Sequence, residues 1–445
     1  MRRNSLLSDG IHRKHTAKGE KKMRKWYSLI DKVYSLPNLW HSYDEVKRNK
    51  GSKTAGIDGE SIIEFTAQAE KYLIELHHDL KSGKYKPCAV KRVYIDKPDG
   101  SKRPLGIPTI RDRIVQQALL NVLQPIFEPD FHPSSYGYRP YRSAQNAVAK
   151  AERFARYYGL ENVVDMDLSK CFDTLDHELI TQSVNKKVSD GKVLSLITQF
   201  LKSGIMDKGN YEPTTVGSPQ GGIISPLLMN IYLDNFDQYM KNQKVRIVRY
   251  ADDILIFAST KSQSGKYQAI AEHYLEKELK LTVNRKKTHL TDLEKGIAYL
   301  GFTIKPYGVV ISKKSQRNLK DRIRELTPRR QGKCLKYYLV KLNMLLRGYS
   351  NYYRISRCKG YFTRMMEWTR RRLRMMIMTA WKSWKPLHKQ LRRMGYKGTY
   401  KKISVTRWRN SNSPLVSMAL PNMWFENQGL YNLGKIEVNT LHQYY

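Results

Sequence analysis

Two successive aspartates, Asp252 and Asp253, stand between the strand-like runs 245–249 and 254–257. Adjacent like charges at an apolar interior are costly unless a cation neutralises them. Two further acids, Asp165 and Asp167, close the short apolar run that contains Val163, Val164 and Met166. One carboxylate from that run and two from a hairpin can hold two Mg²⁺ ions, which take hard oxygen ligands and bring phosphates with them. Two such ions about 4 Å apart can activate a 3′-hydroxyl and stabilise a leaving pyrophosphate. A solvated Asp-Asp turn is the ordinary alternative, and the second acid-tipped run weighs against it. Cys88, Cys171, Cys334 and Cys358 are scattered with no C-x-x-C pair. That spacing argues against a zinc site or a disulfide framework and suits a reducing cytoplasm.

These acids need strands to aim them. Residues 161–167 read as a short strand with a polar end. Residues 245–257 read as a β-hairpin with both acids at its turn. Residues 177–201 carry mixed helical spacing. Leu335, Leu339, Leu342, Leu345, Leu346 and Tyr349 recur at three and four residues, the apolar stripe of a helix whose other face is basic.

Charge bears on the partner. The chain has 445 residues, 80 Lys and Arg against 40 Asp and Glu, and a formal charge of +40. A hydrophobic fraction of 40% is enough for a folded core. A folded chain this basic needs an acidic partner, and nucleic acid is the usual one. Between Lys313 and Arg409 there are 30 Lys and Arg against Asp321, Glu325 and Glu367, a net charge of +27. No apolar run reaches the roughly 18 residues that a membrane span needs. The first 25 residues are basic and carry no secretory signal.

Tyr250-Ala-Asp-Asp253 resembles the signature of reverse transcriptases, specifically of the group II intron-encoded kind. Other blocks agree in order. Asp167-Leu-Ser-Lys-Cys-Phe172 resembles the first catalytic block, and Gly217-Ser-Pro-Gln220-Gly221 the block that positions template and nucleotide. Leu281-Thr-Val-Asn284-Arg-Lys-Lys287 and Tyr299-Leu-Gly-Phe302 resemble later palm blocks. Upstream, Tyr94-Ile-Asp-Lys97, Leu105-Gly-Ile-Pro108 and Ser135-Tyr-Gly-Tyr-Arg139-Pro resemble the fingers, and Ala55-Gly-Ile-Asp58-Gly59 an extra N-terminal block. Gly348-Tyr-Ser-Asn-Tyr-Tyr353 and the Trp368–Arg374 run resemble the thumb, or maturase, region. Pro421-Asn-Met-Trp424 resembles the close of the shorter, class C intron proteins, and no paired cysteines suggest a zinc-bearing nuclease.

The resemblance implies an α+β right-hand polymerase fold of fingers and palm, followed by a helical thumb. It implies a basic leader (1–25), N-terminal extension and fingers (26–145), palm (146–310), RNA-binding thumb (311–410) and tail (411–445). Asp167, Asp252 and Asp253 would be catalytic ligands of two Mg²⁺ ions; Asp165 is a second candidate on the same strand, with the spacing to Phe172 favouring Asp167 and a structural role for Asp165. Lys97 and Arg103 would grip the incoming triphosphate. Phe172 would wall off the sugar 2′-position, and Gln220 would lie beside the template–nucleotide pair. Lys287 would contact or protonate pyrophosphate. Arg370, Arg371, Arg372 and Arg374 would meet RNA from an outward helix face. The implied partners are the parent intron RNA, an RNA template with a DNA primer, target DNA and deoxynucleoside triphosphates, with no membrane. The implied location is the bacterial cytoplasm, at the nucleoid when acting on DNA. The implied activity is RNA-directed DNA polymerisation joined to maturase assistance of splicing and mobility. The alternatives are a splicing-only maturase and a domesticated reverse transcriptase in phage defence or CRISPR spacer capture.

Overall fold

The computed structural model describes residues 25–96, 100, 102–218, 221–329 and 332–445. Lys97, Gln220 and nearly all of the basic leader lie outside the described residues. The chain divides into two compact units that interleave along the sequence.

Of the described residues, the first unit takes those within 25–129, 177–215 and 221–224. Its helices Leu36–Arg48 and Ile110–Phe127 bury Leu39, Val46, Ile114, Val115 and Leu119. Its sheet has four strands in the order Lys102–Ile107, Val90–Asp96, Ile205–Asp207, Asn210–Glu212. Val90 and Lys91 pair in parallel with Ile205 and Met206. That pairing draws the 177–215 segment back to this unit. Residues 146–310, the expected palm, contribute to both units.

Of the described residues, the second unit takes those within 130–176, 216–218 and 225–445. Its central sheet is antiparallel, in the order Arg246–Tyr250, Asp253–Ala258, Asn162–Asp167, His289–Asp292. Ile254, Leu255, Ile256 and Phe257 are all buried, so this inner strand is covered on both faces. A three-stranded sheet follows (Ile297–Tyr299, Phe302–Lys305, Gly308–Ile311). Beyond it lie helices Lys313–Leu326, Leu335–Tyr353, Lys359–Trp381 and Lys385–Arg393. The leucine stripe 335–349 lies in the second of these helices, with Leu339, Leu342 and Leu346 buried as its spacing predicts. Their core includes Phe362, Met366 and Leu373 and extends to Leu420 and Phe425 of the C-terminal segment.

Candidate active site

The hairpin forms with one difference from the sequence expectation. Tyr250 pairs with Asp253, so only Ala251 and Asp252 make the turn and Asp253 begins the return strand. Asp167 is the direct cross-strand partner of Asp253, and paired side chains share a sheet face. Asp165 lies two residues earlier on the same strand, paired with Leu255 and His289, and so shares that face. The acids are brought together by strand register.

The turn is held from behind. Ala251 has φ +58°, a left-handed conformation that costs an L-residue about 1–2 kcal/mol. Arg249, on the strand leading into it, is fully buried and donates one guanidinium bond to the Ala251 carbonyl (3.1 Å) and one to Asn230 Oδ1 (3.1 Å). Its remaining bonds go to the buried Asp237 carboxylate, the shortest at 2.6 Å. Burial alone works against the Arg249 charge, but Asp237 outweighs it and holds the guanidinium above its ordinary pKa. Asn230 also donates to the Gly137 carbonyl (2.9 Å). A Cβ at Gly137 would overlap the Ala251 backbone nitrogen, so only glycine lets the two backbones approach. The block containing Gly137, expected with the fingers, thus folds in the second unit against the Ala251–Asp252 turn. Tyr136 N–H donates to the Arg249 carbonyl (2.9 Å) and Arg249 N–H to the Ser134 carbonyl (2.9 Å), adding a short edge to the sheet.

Asp167 is clasped by the block that follows the hairpin. Asn284 Nδ2 and Lys287 Nζ reach its Oδ2 at 3.0 and 3.1 Å, and Asn284 N–H donates to its carbonyl at 2.8 Å. The hydrogen bond and charge of Asp167 hold the Lys287 ammonium above its usual pKa. Among the described residues, no three His, Cys, Asp or Glu side chains close on a single point; Asp167 is turned toward Asn284 and Lys287. Desolvation by surrounding protein, then the charges of Asp252, Asp167 and Asp165, push Asp253 up to about 7. Burial likewise pushes Asp165 up to about 6, against the pull of His289. Asp253, Asp167 and Asp165 thus bring carboxylate oxygens, the donor type that a hard cation takes, to one sheet face.

Those shifts have a sign. Folded Asp253 holds its proton more tightly than an unfolded aspartate, whose pKa is about 3.9. Stability from this group is therefore lowest above pH 7 and rises as pH falls toward 4. In EDTA, Asp253→Asn is expected to raise the melting temperature at pH 8 and to change it little at pH 4. Scanning calorimetry at both values checks this; no gain at pH 8 would show that the carboxylates do not repel.

Phe172, on the one-turn helix Cys171–Thr174, is 8% exposed, with its ring edge-on to Tyr138 at 6.3 Å. Its carbonyl accepts from Ser218 N–H (2.7 Å), which ties the aromatic to the block before Gln220. A Cβ at Gly217 would press on the Asp173 backbone at 2.7 Å, and its φ of +88° also favours glycine. Arg103 lies in the first unit on the Lys102–Ile107 strand, paired with Ile95 and exposed.

The four arginines expected on an outward face do not form one. Arg370 and Arg374 are each 7% exposed. Arg374 donates to the Leu420 carbonyl and to Asn422 Oδ1, both at 3.0 Å, and Arg370 stands 3.9 Å from Glu426. Arg371 covers the Trp408 ring at 4.4 Å. Arg372 binds Thr327 through its hydroxyl (2.5 Å) and carbonyl (2.7 Å). The C-terminal segment takes up Arg370 and Arg374, while Arg372 is held by Thr327 just past the Lys313–Leu326 helix. Exposed basic groups run instead along the Lys313–Leu326 helix, where Lys313, Arg317 and Lys320 line an open groove of about 410 Å³. Their three- and four-residue spacing was present in the sequence and marks one helix face.

Residues 95–304 match the family described as reverse transcriptase (RNA-dependent DNA polymerase), and residues 316–395 match the group II intron maturase-specific domain. Protein YkfC of Escherichia coli is 36% identical over 290 residues, which cover 57% of this chain and 76% of that protein. The group II intron-encoded protein LtrA of Lactococcus lactis is 37% identical over 229 residues, covering 49% of this chain and 37% of LtrA. The matched part is thus most of the first relative and well under half of the second. Among the described residues no helix is long and apolar enough to cross a membrane.

Proposed function

Because this chain belongs to the group II intron-encoded reverse transcriptases that carry a maturase domain, we propose that Asp167, Asp252 and Asp253 bind the metal ions of its RNA-directed DNA polymerase activity. The observation that carries this assignment is the register that makes Asp167 and Asp253 direct partners beside the Asp252 turn. When bound, two Mg²⁺ ions would supply Lewis-acid activation of the primer 3′-hydroxyl and neutralise charge at the leaving pyrophosphate. The chain's own part is to aim three carboxylates and to keep Arg249 and Asp237 locked behind the turn. Lys287, beside Asp167, is suited to meet phosphate oxygens or to give a proton to pyrophosphate. Arg103 is proposed to grip the triphosphate of an incoming deoxynucleotide. The basic groove of the Lys313–Leu326 helix is proposed to follow RNA phosphates. Intron RNA, an RNA template with its DNA primer and a DNA target are the proposed partners. Residues 146–310 are proposed as palm and 311–410 as thumb. Primer extension tests the function. Wild-type protein should extend a DNA primer on an RNA template with deoxynucleotides and Mg²⁺, whereas RNA binding without extension would favour a splicing-only maturase.

The sugar gate gives a separate expectation. If Phe172 fills the space of a 2′-hydroxyl, Phe172→Ala admits ribonucleotides while deoxynucleotide use persists. A filled apolar pocket is worth about 10–200-fold in discrimination, so the incorporation ratio should move within that range. Competitive incorporation of matched ribo- and deoxynucleotides measures it. An unchanged ratio returns Phe172 to a purely packing role with Tyr138.

A further inference from the structure

In the second unit, a cavity of about 250 Å³ opens between the end of the Lys313–Leu326 helix, the middle of Lys359–Trp381 and the short turn at Trp408. Three arginines, Arg324, Arg329 and Arg372, line it together with Trp368 and Trp408. Arg372 is fixed by Thr327, whose hydroxyl and carbonyl take its Nε and Nη2. Its guanidinium lies 5.3 Å from the Trp368 ring, and that of Arg324 lies 5.6 Å from the same ring. Asp321 pairs with Arg324, and among the described residues no carboxylate lines the cavity itself. Arg372 is held below its ordinary pKa by burial and then by its cationic neighbours Arg324 and Arg329, so the cluster favours an added anion. Met375 and Met376 supply an apolar wall.

Phosphate recognition by guanidinium forks explains the three arginines, but not two indoles and a methionine wall. A nucleobase explains the latter, since unstacked RNA bases lie against aromatic rings and guanidinium planes. The volume falls below the usual 300–1,000 Å³ of small-molecule pockets and suits one nucleotide better than a helix. Arg324 also lines the open groove of Lys313, Arg317, Lys320 and Asp321, so it borders both the groove and the cavity. Trp408 lies beyond the residues that match the maturase-specific domain.

We propose that this cavity captures a single unpaired RNA nucleotide, its phosphate on Arg324, Arg329 and Arg372 and its base against Trp368, Trp408 and the methionine wall. The proposal deepens the RNA-binding reading above and rests on it. It makes the thumb a reader of RNA shape: a bulged or extruded nucleotide is gripped where a continuous helix finds only the outer groove.

The test uses the full chain and two RNA hairpins that differ by one bulged 2-aminopurine. A base stacked on an aromatic ring is worth about 1–3 kcal/mol, so the bulged hairpin should bind about 5–150-fold more tightly, with quenched 2-aminopurine fluorescence. Trp408→Ala should remove that preference and the quenching while leaving primer extension on a short template unchanged. Arg329→Gln, at an exposed position, should weaken bulged RNA and lower its log–log salt slope by about one. Equal affinity for both hairpins overturns the pocket and leaves general RNA binding standing. Failure to bind either hairpin overturns the RNA-binding reading with it. Retention of the preference in both variants places the bulge elsewhere and overturns the proposal.

Discussion

Asp252→Ala should lower RNA-templated DNA synthesis by about 10³-fold or more while RNA affinity stays nearly intact. A carboxylate that ligates a catalytic ion supports several kcal/mol of transition-state stabilisation, and each 1.36 kcal/mol lost is tenfold in rate. Asp252 is set in the turn by Tyr250 and Asp253, whereas the proposed RNA groove is on the Lys313–Leu326 helix. The two activities should therefore separate. Single-nucleotide extension kinetics and filter binding to a structured RNA, run on the same preparation, measure both. Synthesis at wild-type rates would remove Asp252 from the site, and a parallel collapse of RNA binding would show that the variant is misfolded.

The second large effect comes from a pair that touches no substrate. Asp237→Ala leaves Arg249 charged and fully buried without its partner, which costs about 3–5 kcal/mol. Against a total stability of about 5–15 kcal/mol, that is a major loss. The melting temperature should fall steeply and polymerase activity with it. Replacing the pair by apolar residues, Asp237→Leu with Arg249→Met, should restore much of the stability, because a buried pair and a well-packed apolar pair are often of similar worth. Activity should not return, since the Ala251 carbonyl and Asn230 have lost the guanidinium that anchors the turn. Recovery of both together would show that Arg249 matters to folding alone.

Legibility followed the range of the interactions. The acids and their strands were visible because chemistry and alternation fix their spacing locally. Asp253 moved from turn to strand because the hairpin closes on two residues, and that choice depends on a left-handed Ala251 with no Gly or Asn to announce it. The Asp237–Arg249–Asn230 support was missed because its members come from a helix and a strand, and a buried ion pair leaves no periodic trace. Its one signal was an arginine within a strand whose Ile247 and Val248 neighbours are both buried. The arginines after Trp368 read as a basic helix face because the helix alone does not show what will cover it. Leu420 and Asn422, almost fifty residues on in sequence, supply the acceptors that draw Arg374 inward. The interleaving of the two units was hidden for a similar reason: a two-residue parallel pairing at Val90 and Ile205 has no sequence signature.

Iron-mediated backbone cleavage tests the central claim, that the carboxylates of this register hold the catalytic ions. Fe²⁺ replaces Mg²⁺ in hard-oxygen sites, and with ascorbate and peroxide it cuts the nearest peptide bonds. End-labelled protein should be cut around residues 165–168 and 250–254, with protection by excess Mg²⁺ and loss of the cuts in Asp252→Ala. Cleavage elsewhere, or cuts at these segments that survive both Mg²⁺ and the substitution, would contradict the account.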